Sequence, residues 1–369
     1  MLKMLKNVIL TKLLLKLIKK NMHYDLLKKE LSENVSNKAV PIWFMRQAGR
    51  YMKEYMHIRQ KNSFLDMCLD SEIIRKITLQ PIHKFDLDAA IIFSDILILP
   101  FALGLELEFK KDVGPVFIKD DVEKRVNTIL SRKLNSTITN FIFEGIRKVK
   151  KDLSLSYAGK SLIGFAGSPF TVACYIISGK GSKNFDNVRK YLYENKEKFQ
   201  KLIDALTDET IIYLRGQAEN GADILKLFDS WAGILAEEEF KKYVVEPNKR
   251  IIREIKAWKK NTSFICFPRG IGEKYKYFVE NVATDVISID HTISNIWARD
   301  NLQKKVVVQG NLDNAILTAR GADIKKEVNK ILSIFSSGKF VFNLRHGILP
   351  NTPICNIEEV IKTVRNYDR

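Results

Sequence analysis

Residues 161–228 read SLIGFAGSPFTVACYIISGKGSKNFDNVRKYLYENKEKFQKLIDALTDETIIYLRGQAENGADILKLF. Two short apolar runs, Ser161 to Phe165 and Asp223 to Phe228, bracket a long segment, Phe185 to Asn220, whose apolar residues recur at three and four. The opposite face of that segment carries Lys and Glu, as on a helix that covers a sheet. The runs themselves are nearly continuous in apolar residues, which is the habit of strands buried on both faces of a parallel sheet. Strand, covering helix and second strand make one parallel unit.

The same alternation continues in both directions. Further runs rich in Val, Ile, Phe and Leu are Val40 to Met45, Ala89 to Phe93, Ser263 to Phe267, Asp285 to Ile289, Lys305 to Val308 and Phe340 to Leu344. Helical patterns span Ala236 to Lys260 and Asn314 to Ile334. Eight strand units in one chain suit a closed (β/α)8 barrel, the TIM barrel, better than an open sheet, which more often shows a Gly-rich fingerprint after its first strand. None is present: the clustered Gly179 and Gly181 of SGKGSKNF follow a loop and read as turn chemistry. The expected fold class is α/β, a single-domain barrel over residues 39–369, preceded by a basic N-terminal helical extension over residues 1–38 that the barrel does not obviously need.

Composition supports a folded chain. Of 369 residues, 46% are hydrophobic and 28% charged, and 18 glycines with 9 prolines leave no room for a low-complexity architecture. The excess of 61 Lys and Arg over 43 Asp and Glu gives +18, which implies an anionic partner without naming it. Six lysines and no acid fall in residues 1–21, and without them the charge is +12. Lysine interrupts that stretch too often for a bilayer span, so no stable membrane insertion is expected. The stretch loosely resembles a transit peptide but lacks arginine, and with Met22 next in line an upstream start codon reads equally well. Cys68, Cys174, Cys266 and Cys355 are scattered, with no CxxC or HxC, so neither zinc nor a disulfide is expected and a reducing, cytoplasmic setting is. A nucleic-acid reading rests on charge alone, because basic and aromatic residues do not interleave.

A barrel keeps its chemistry at the carboxyl ends of its strands. There the chain supplies Arg46, Gln47 and Arg50, then Ser94 and Asp95, Gly167 and Ser168, Asp229 and Ser230, Arg269, Asp290, Gln309 with Asn311, and His346. Two arginines four apart in FMRQAGRYM suit carboxylate or phosphate recognition, unless Asp95 or Glu54 pairs with them internally. Asp95 in IIFSDILILP is a lone acid among apolar residues and requires donors, whether as a helix cap or at a functional site. Taken alone, His346 reads as a satisfied hydrogen-bonder rather than a catalyst, Tyr175 equally as core, and Ser230 as a cap of the following segment. No Ser-His-Asp order, glycosidase carboxylate pair or metal cluster is recognisable.

PIWFMRQAGRYM, DAAIIFSDILILP, IGFAGSPFTV, GADILKLFDSWAG, VVQGNLD and FNLRHGILP occur in this order from about residue 40 to the end, and together they resemble the uroporphyrinogen decarboxylase family. The resemblance implies a (β/α)8 barrel, a homodimer with facing clefts, and no cofactor or metal. It implies loss of CO2 from the four acetates of uroporphyrinogen III, giving coproporphyrinogen III in heme biosynthesis. By the same resemblance Asp95 accepts the pyrrole N–H donors and stabilises developing positive charge, while Arg46 and Arg50 engage carboxylates. Gln47, Ala48 and Gly49 line the cleft by their backbone, and Tyr175, Ser230 and His346 contact the substrate. The chain departs from the family at Arg345, usually Gly, and at Phe170, Met52, Lys53, His291 and Asn314. Related methyltransferases with a zinc-bound thiol need His and Cys ligands that these strand ends lack.

Overall fold

The computed structural model describes residues 25–32, 38–110, 113–118, 121–182 and 184–369. Most of the basic extension, including residues 1–24 with their lysines and Met22, lies outside the described residues. The strands are β1 (Ala89–Ile91), β2 (Leu107–Lys110), β3 (Gly114–Phe117), β4 (Ser161–Gly167), β5 (Ile224–Asp229), β6 (Ser263–Pro268), β7 (Val286–Ser288), β8 (Val307–Leu312) and β9 (Phe340–Leu344). Seven of them form one parallel sheet in the order β1-β4-β5-β6-β7-β8-β9, with helices between.

Residues 41–43 close the ring. Phe342 N–H donates to Pro41 O at 2.8 Å on one side, and Asp88 N–H donates to Ile42 O at 2.9 Å on the other. The expected first strand, Val40 to Met45, is therefore only a parallel bridge, Ile42 to Phe342. The physical reason lies in its donors: Pro41 has no N–H, and the N–H groups of Phe44 and Met45 go to the side-chain oxygens of Gln47 and Asn343 rather than to a ladder.

The period of two along each strand sorts inside from outside. Ile163, Ile224, Ile265, Phe267, Val286, Val307 and Val341 pack within the barrel, while Leu162, Leu225, Leu227, Phe264, Ile287 and Phe342 pack against the helices. One interior group is polar. Lys226 Nζ donates to Ser288 Oγ at 2.9 Å, Gln309 Nε2 donates to the same oxygen at 2.6 Å, and Trp43 Nε1 donates to Gln309 Oε1 at 2.9 Å. Apolar runs concealed this lysine, which is completely buried.

At the opposite, amino-terminal end, Asp88, Asp223 and Asp285 each precede a strand and accept a neighbouring N–H, from Ile42, Leu162 and Phe264. Each also holds a cation: Arg365, Lys150 and Lys256 respectively. The helix Leu26–Ser32 lies across this floor. Leu27 is buried in the interior cluster, and buried Glu30 pairs with Arg369 at 2.8 Å and accepts Phe340 N–H at 2.8 Å.

The long helical segments are interrupted. Phe185 to Asn220 contains two helices, Asp186–Glu194 and Lys196–Glu219, and Ala236 to Lys260 is carried through a wide π-type turn at Lys241–Val245. The antiparallel pair β2–β3 has no counterpart in the expected plan.

Candidate active site

The chain leaves residues 41–43 in a tight turn. Gln47 N–H bonds back to Phe44 O at 3.2 Å, and Arg46 is held at φ 57°, a conformation few non-glycine residues adopt. The Gln47 side chain is used entirely by the fold: Nε2 donates to Ala89 O at 3.0 Å and Oε1 accepts Phe44 N–H. Its carbonyl accepts the Tyr51 hydroxyl. Ala48 packs against the cluster of Met52, Tyr55, Met67 and Ile77, and Gly49 O accepts Met52 N–H at 2.9 Å. This turn leaves Arg46 and Arg50 exposed, with no side-chain hydrogen bond or ion pair among the described residues. Glu54, which the sequence offered as their internal partner, pairs with Lys84 instead.

Asp95 follows β1 and opens the short helix Ile98–Ala102. Its Oδ1 accepts Leu97 N–H at 2.8 Å, and Oδ2 has no hydrogen-bond partner among the described residues. Burial pushes its carboxyl up from the usual aspartate value, while the Leu97 N–H and the Arg46 charge pull it down. The Arg46 charge thus reaches Asp95 without a direct ion pair.

Tyr175 stands on the helix Pro169–Ser178, whose end is fixed on two sides. Gly179 takes the left-handed conformation there, φ 75°, and buried Arg125 donates to the carbonyls of Ile176 and Ile177. The Tyr175 ring packs edge-on to Phe185 and Trp231 at 5.7 and 6.5 Å. Burial raises its phenol above the usual value, and the charges of Asp95 and Arg46 both reach it, so it stands at the same mouth as a neutral O–H. Ser230, next to Trp231, follows β5 and is half-buried.

His346 follows β9, and its Nδ1 accepts Gly347 N–H at 2.8 Å. Burial, then the charges of Arg46, Arg269 and Arg345, push it down to about 4 against the opposing pull of Asp290, so the imidazole is neutral near pH 7. Arg345 does not crowd the mouth, because its guanidinium turns to Asp313 at 2.7 Å.

Other strand-end polar residues serve the fold. Asp229, raised to about 6 by burial, accepts Thr171 Oγ1 at 2.6 Å and faces the helices, while Ser168 bonds Asn248. Gln309 lies inside the barrel. All four cysteines are free, and among the described residues no group of three or more His, Cys, Asp or Glu is placed to hold a metal ion. No helix of the described residues is long and apolar enough to cross a membrane.

A family model described as uroporphyrinogen decarboxylase (URO-D) matches residues 29–367, which takes in every residue of this mouth. The chain belongs to the uroporphyrinogen decarboxylase family. It is 47% identical over 333 residues to a uroporphyrinogen decarboxylase of Rickettsia bellii, covering 89% of this chain and 95% of the relative. With that of Rickettsia africae it shares 45% over 337 residues, 90% and 95% of the two chains. Among solved structures a methyltransferase from Methanosarcina mazei matches with TM-score 0.69 at 17% identity, covering 92% of this chain and 97% of the other, a likeness of fold alone. The uroporphyrinogen decarboxylase family thus accounts for both barrel and motif order. Of the expected site residues, Asp95, Tyr175 and His346 all feel the Arg46 charge, whereas Arg50 is an exposed turn residue and Ser230 a half-buried one just after β5.

Proposed function

We infer that this chain removes CO2 from the four acetate side chains of uroporphyrinogen III, leaving methyl groups and giving coproporphyrinogen III. The observation that carries this reading is the Asp95 carboxylate, which keeps one oxygen free in a half-buried position within reach of the charge of the unpaired Arg46. The substrate is a flexible macrocycle with four pyrrole N–H donors at its centre and eight carboxylates at its edge. Asp95 accepts the N–H groups, and Arg46 and Arg50 take carboxylates through paired hydrogen bonds.

Decarboxylation needs a destination for the electron pair of the breaking C–C bond. A pyrrole ring protonated at carbon is that destination: the pair moves into the ring as CO2 leaves, a proton adds to the exocyclic carbon to complete the methyl group, and the ring gives up the proton it had taken. Each acetate so processed exchanges one carboxylate for one proton. The ring is cationic during the step, and Asp95 is fixed opposite that charge before it develops, which is where electrostatic catalysis is strongest. Tyr175 and the neutral His346 border the ring as hydrogen-bonding groups, and Ser230 closes the β5 side. The reading includes a homodimer with facing clefts and a cytoplasmic setting, the latter supported by four free cysteines. Neither nucleic acid nor membrane enters it.

Asp95→Asn tests the role. The amide oxygen still accepts Leu97 N–H, so the turn survives, but the charge is gone. We expect turnover of enzymatically generated uroporphyrinogen III to fall on the order of 100-fold or more with an unchanged unfolding midpoint. Turnover near that of the wild type would remove Asp95 from this role.

A further inference from the structure

A further cation stands at the mouth. β6 ends at Pro268, and Arg269 follows it. Ile265 and Phe267 of that strand face the barrel interior, so the period of two turns Arg269 inward as well. The ladder still holds at this residue: its N–H donates to Asp229 O at 3.0 Å, and its carbonyl accepts Gly233 N–H at 3.0 Å. Only glycine fits at position 233, because a Cβ there would collide with the backbone of Gly270.

The backbone of Arg269 is therefore fixed, yet its half-buried guanidinium has no hydrogen bond or ion pair among the described residues. The carboxylate on the next strand end, Asp290, is already occupied. It is 1% exposed and accepts the Gly270 N–H, the Thr292 N–H at 2.9 Å and the Thr292 hydroxyl at 2.6 Å. A half-desolvated cation without a partner is costly, and a bound anion offsets that cost.

Its place in the ring is informative. Counting residues 41–43 as the eighth member, β6 lies four steps from them in either direction. Arg46 and Arg50 leave one wall of the mouth, and Arg269 leaves the wall opposite. The Arg269 and Arg46 charges nevertheless both reach His346, so both side chains extend over the cleft.

We propose that Arg269 is a substrate-binding residue that takes a carboxylate on the edge of the macrocycle opposite the one held by Arg46 and Arg50. This rests on the decarboxylase reading above. A ring that carries carboxylates all round its edge is held flat across the mouth only when cations meet it from both walls. Four carboxylates outlast every decarboxylation, so the opposite edge presents one at each stage. The interaction is the same before and during the chemical step, and it therefore belongs in KM rather than kcat.

The test compares kcat and KM for uroporphyrinogen III in the wild type, Arg269→Lys, Arg269→Gln and Arg269→Glu. Arg253→Gln, an exposed arginine on the helix Glu246–Trp258, is the control. KM is expected to rise in the order Lys, Gln, Glu, by about tenfold for Gln, with kcat within about threefold and the control unchanged. KM for Gln and Glu within about twofold of the wild type would overturn the proposal. So would a Gln variant that fails to fold, because a side chain without a protein partner carries no stability. Turnover by the wild type in the same assay tests the decarboxylase reading independently.

Discussion

Gly347 lies flat against Arg46: a Cβ on Gly347 would approach Arg46 Cγ to 2.7 Å and the next carbon more closely still. The chain around Gly347 cannot retreat, since Ile348 N–H donates to Met45 O at 3.0 Å and Gly347 O accepts Asn314 Nδ2 at 2.9 Å. The glycine thus sets the direction of the Arg46 side chain over Asp95. Gly347→Ala should swing that side chain away from Asp95. We expect KM to rise about tenfold or more, with a stability loss of about 1–2 kcal/mol from local overpacking. Steady-state kinetics and thermal unfolding of the one variant check both.

His346 is held at about 4 by burial and then by three arginine charges, well below its unfolded value near 6.5. A depressed histidine takes up its proton later in the folded state than in the unfolded one. Its share of stability is therefore complete above about pH 6.5 and is lost as pH falls toward 4. His346→Gln should lessen the loss of stability between pH 7 and 5, read by urea unfolding at the two values. In the wild type, the His346 ring signals in an NMR titration should show no midpoint above pH 5; a midpoint near 6.5 would contradict the burial and the three arginine charges that hold it down.

Much of this architecture is legible in the chain because period-two apolar strands and period-3.6 helices are local patterns, and seven of the eight strand runs appear where the patterns lie. The eighth misleads because its N–H groups are satisfied by Gln47 and Asn343, side chains whose reach no local pattern reveals. Strand parity adds information that a list of strand-end residues does not. Counting in twos from Ile224 sends Lys226 and Phe228 inward, and Leu225, Leu227 and Asp229 outward, which separates buried Asp229 from rim Ser230. The same count from Ile265 reaches Arg269. Asp95, by contrast, follows a loop turn beyond β1, where parity ends and only the cost of a lone acid among apolar residues marks it.

The floor of the barrel divides the N-terminal extension. Leu27 fills the interior cluster, Asp25 accepts the Ser161 hydroxyl, Lys28 reaches Asp223 at 2.6 Å, and Arg369 is 4% exposed against a fully buried Glu30. We therefore predict that a chain starting at residue 25 unfolds at a higher midpoint than one starting at residue 33. Starting at residue 33 leaves Arg369 buried without Glu30 and the floor without Leu27, a loss of about 4 kcal/mol or more. Equal midpoints for the two truncations would show that the helix contributes nothing.

Lys226 offers the sharpest reading of the interior. It is fully buried, donates one hydrogen bond to Ser288, lies 4.9–5.4 Å from the rings of Trp43, Phe228 and Phe267, and has no carboxylate partner among the described residues. Burial pushes its ammonium down to about 7, even though the ring faces favour the charged form. The unfolded chain takes up this proton near pH 10.4, the folded chain only near 7. Stability must then fall as pH drops from about 10.4 to about 7, and the penalty levels off below that. Lys226→Met keeps the volume and leaves Ser288 its bond from Gln309. Its advantage over the wild type should grow as pH is lowered through this window, toward a limit on the order of 4 kcal/mol, and then stay constant. Denaturant unfolding at pH 6, 7, 8 and 9 reads the difference directly, and a gap that does not change with pH would mean that the buried amine keeps its proton throughout.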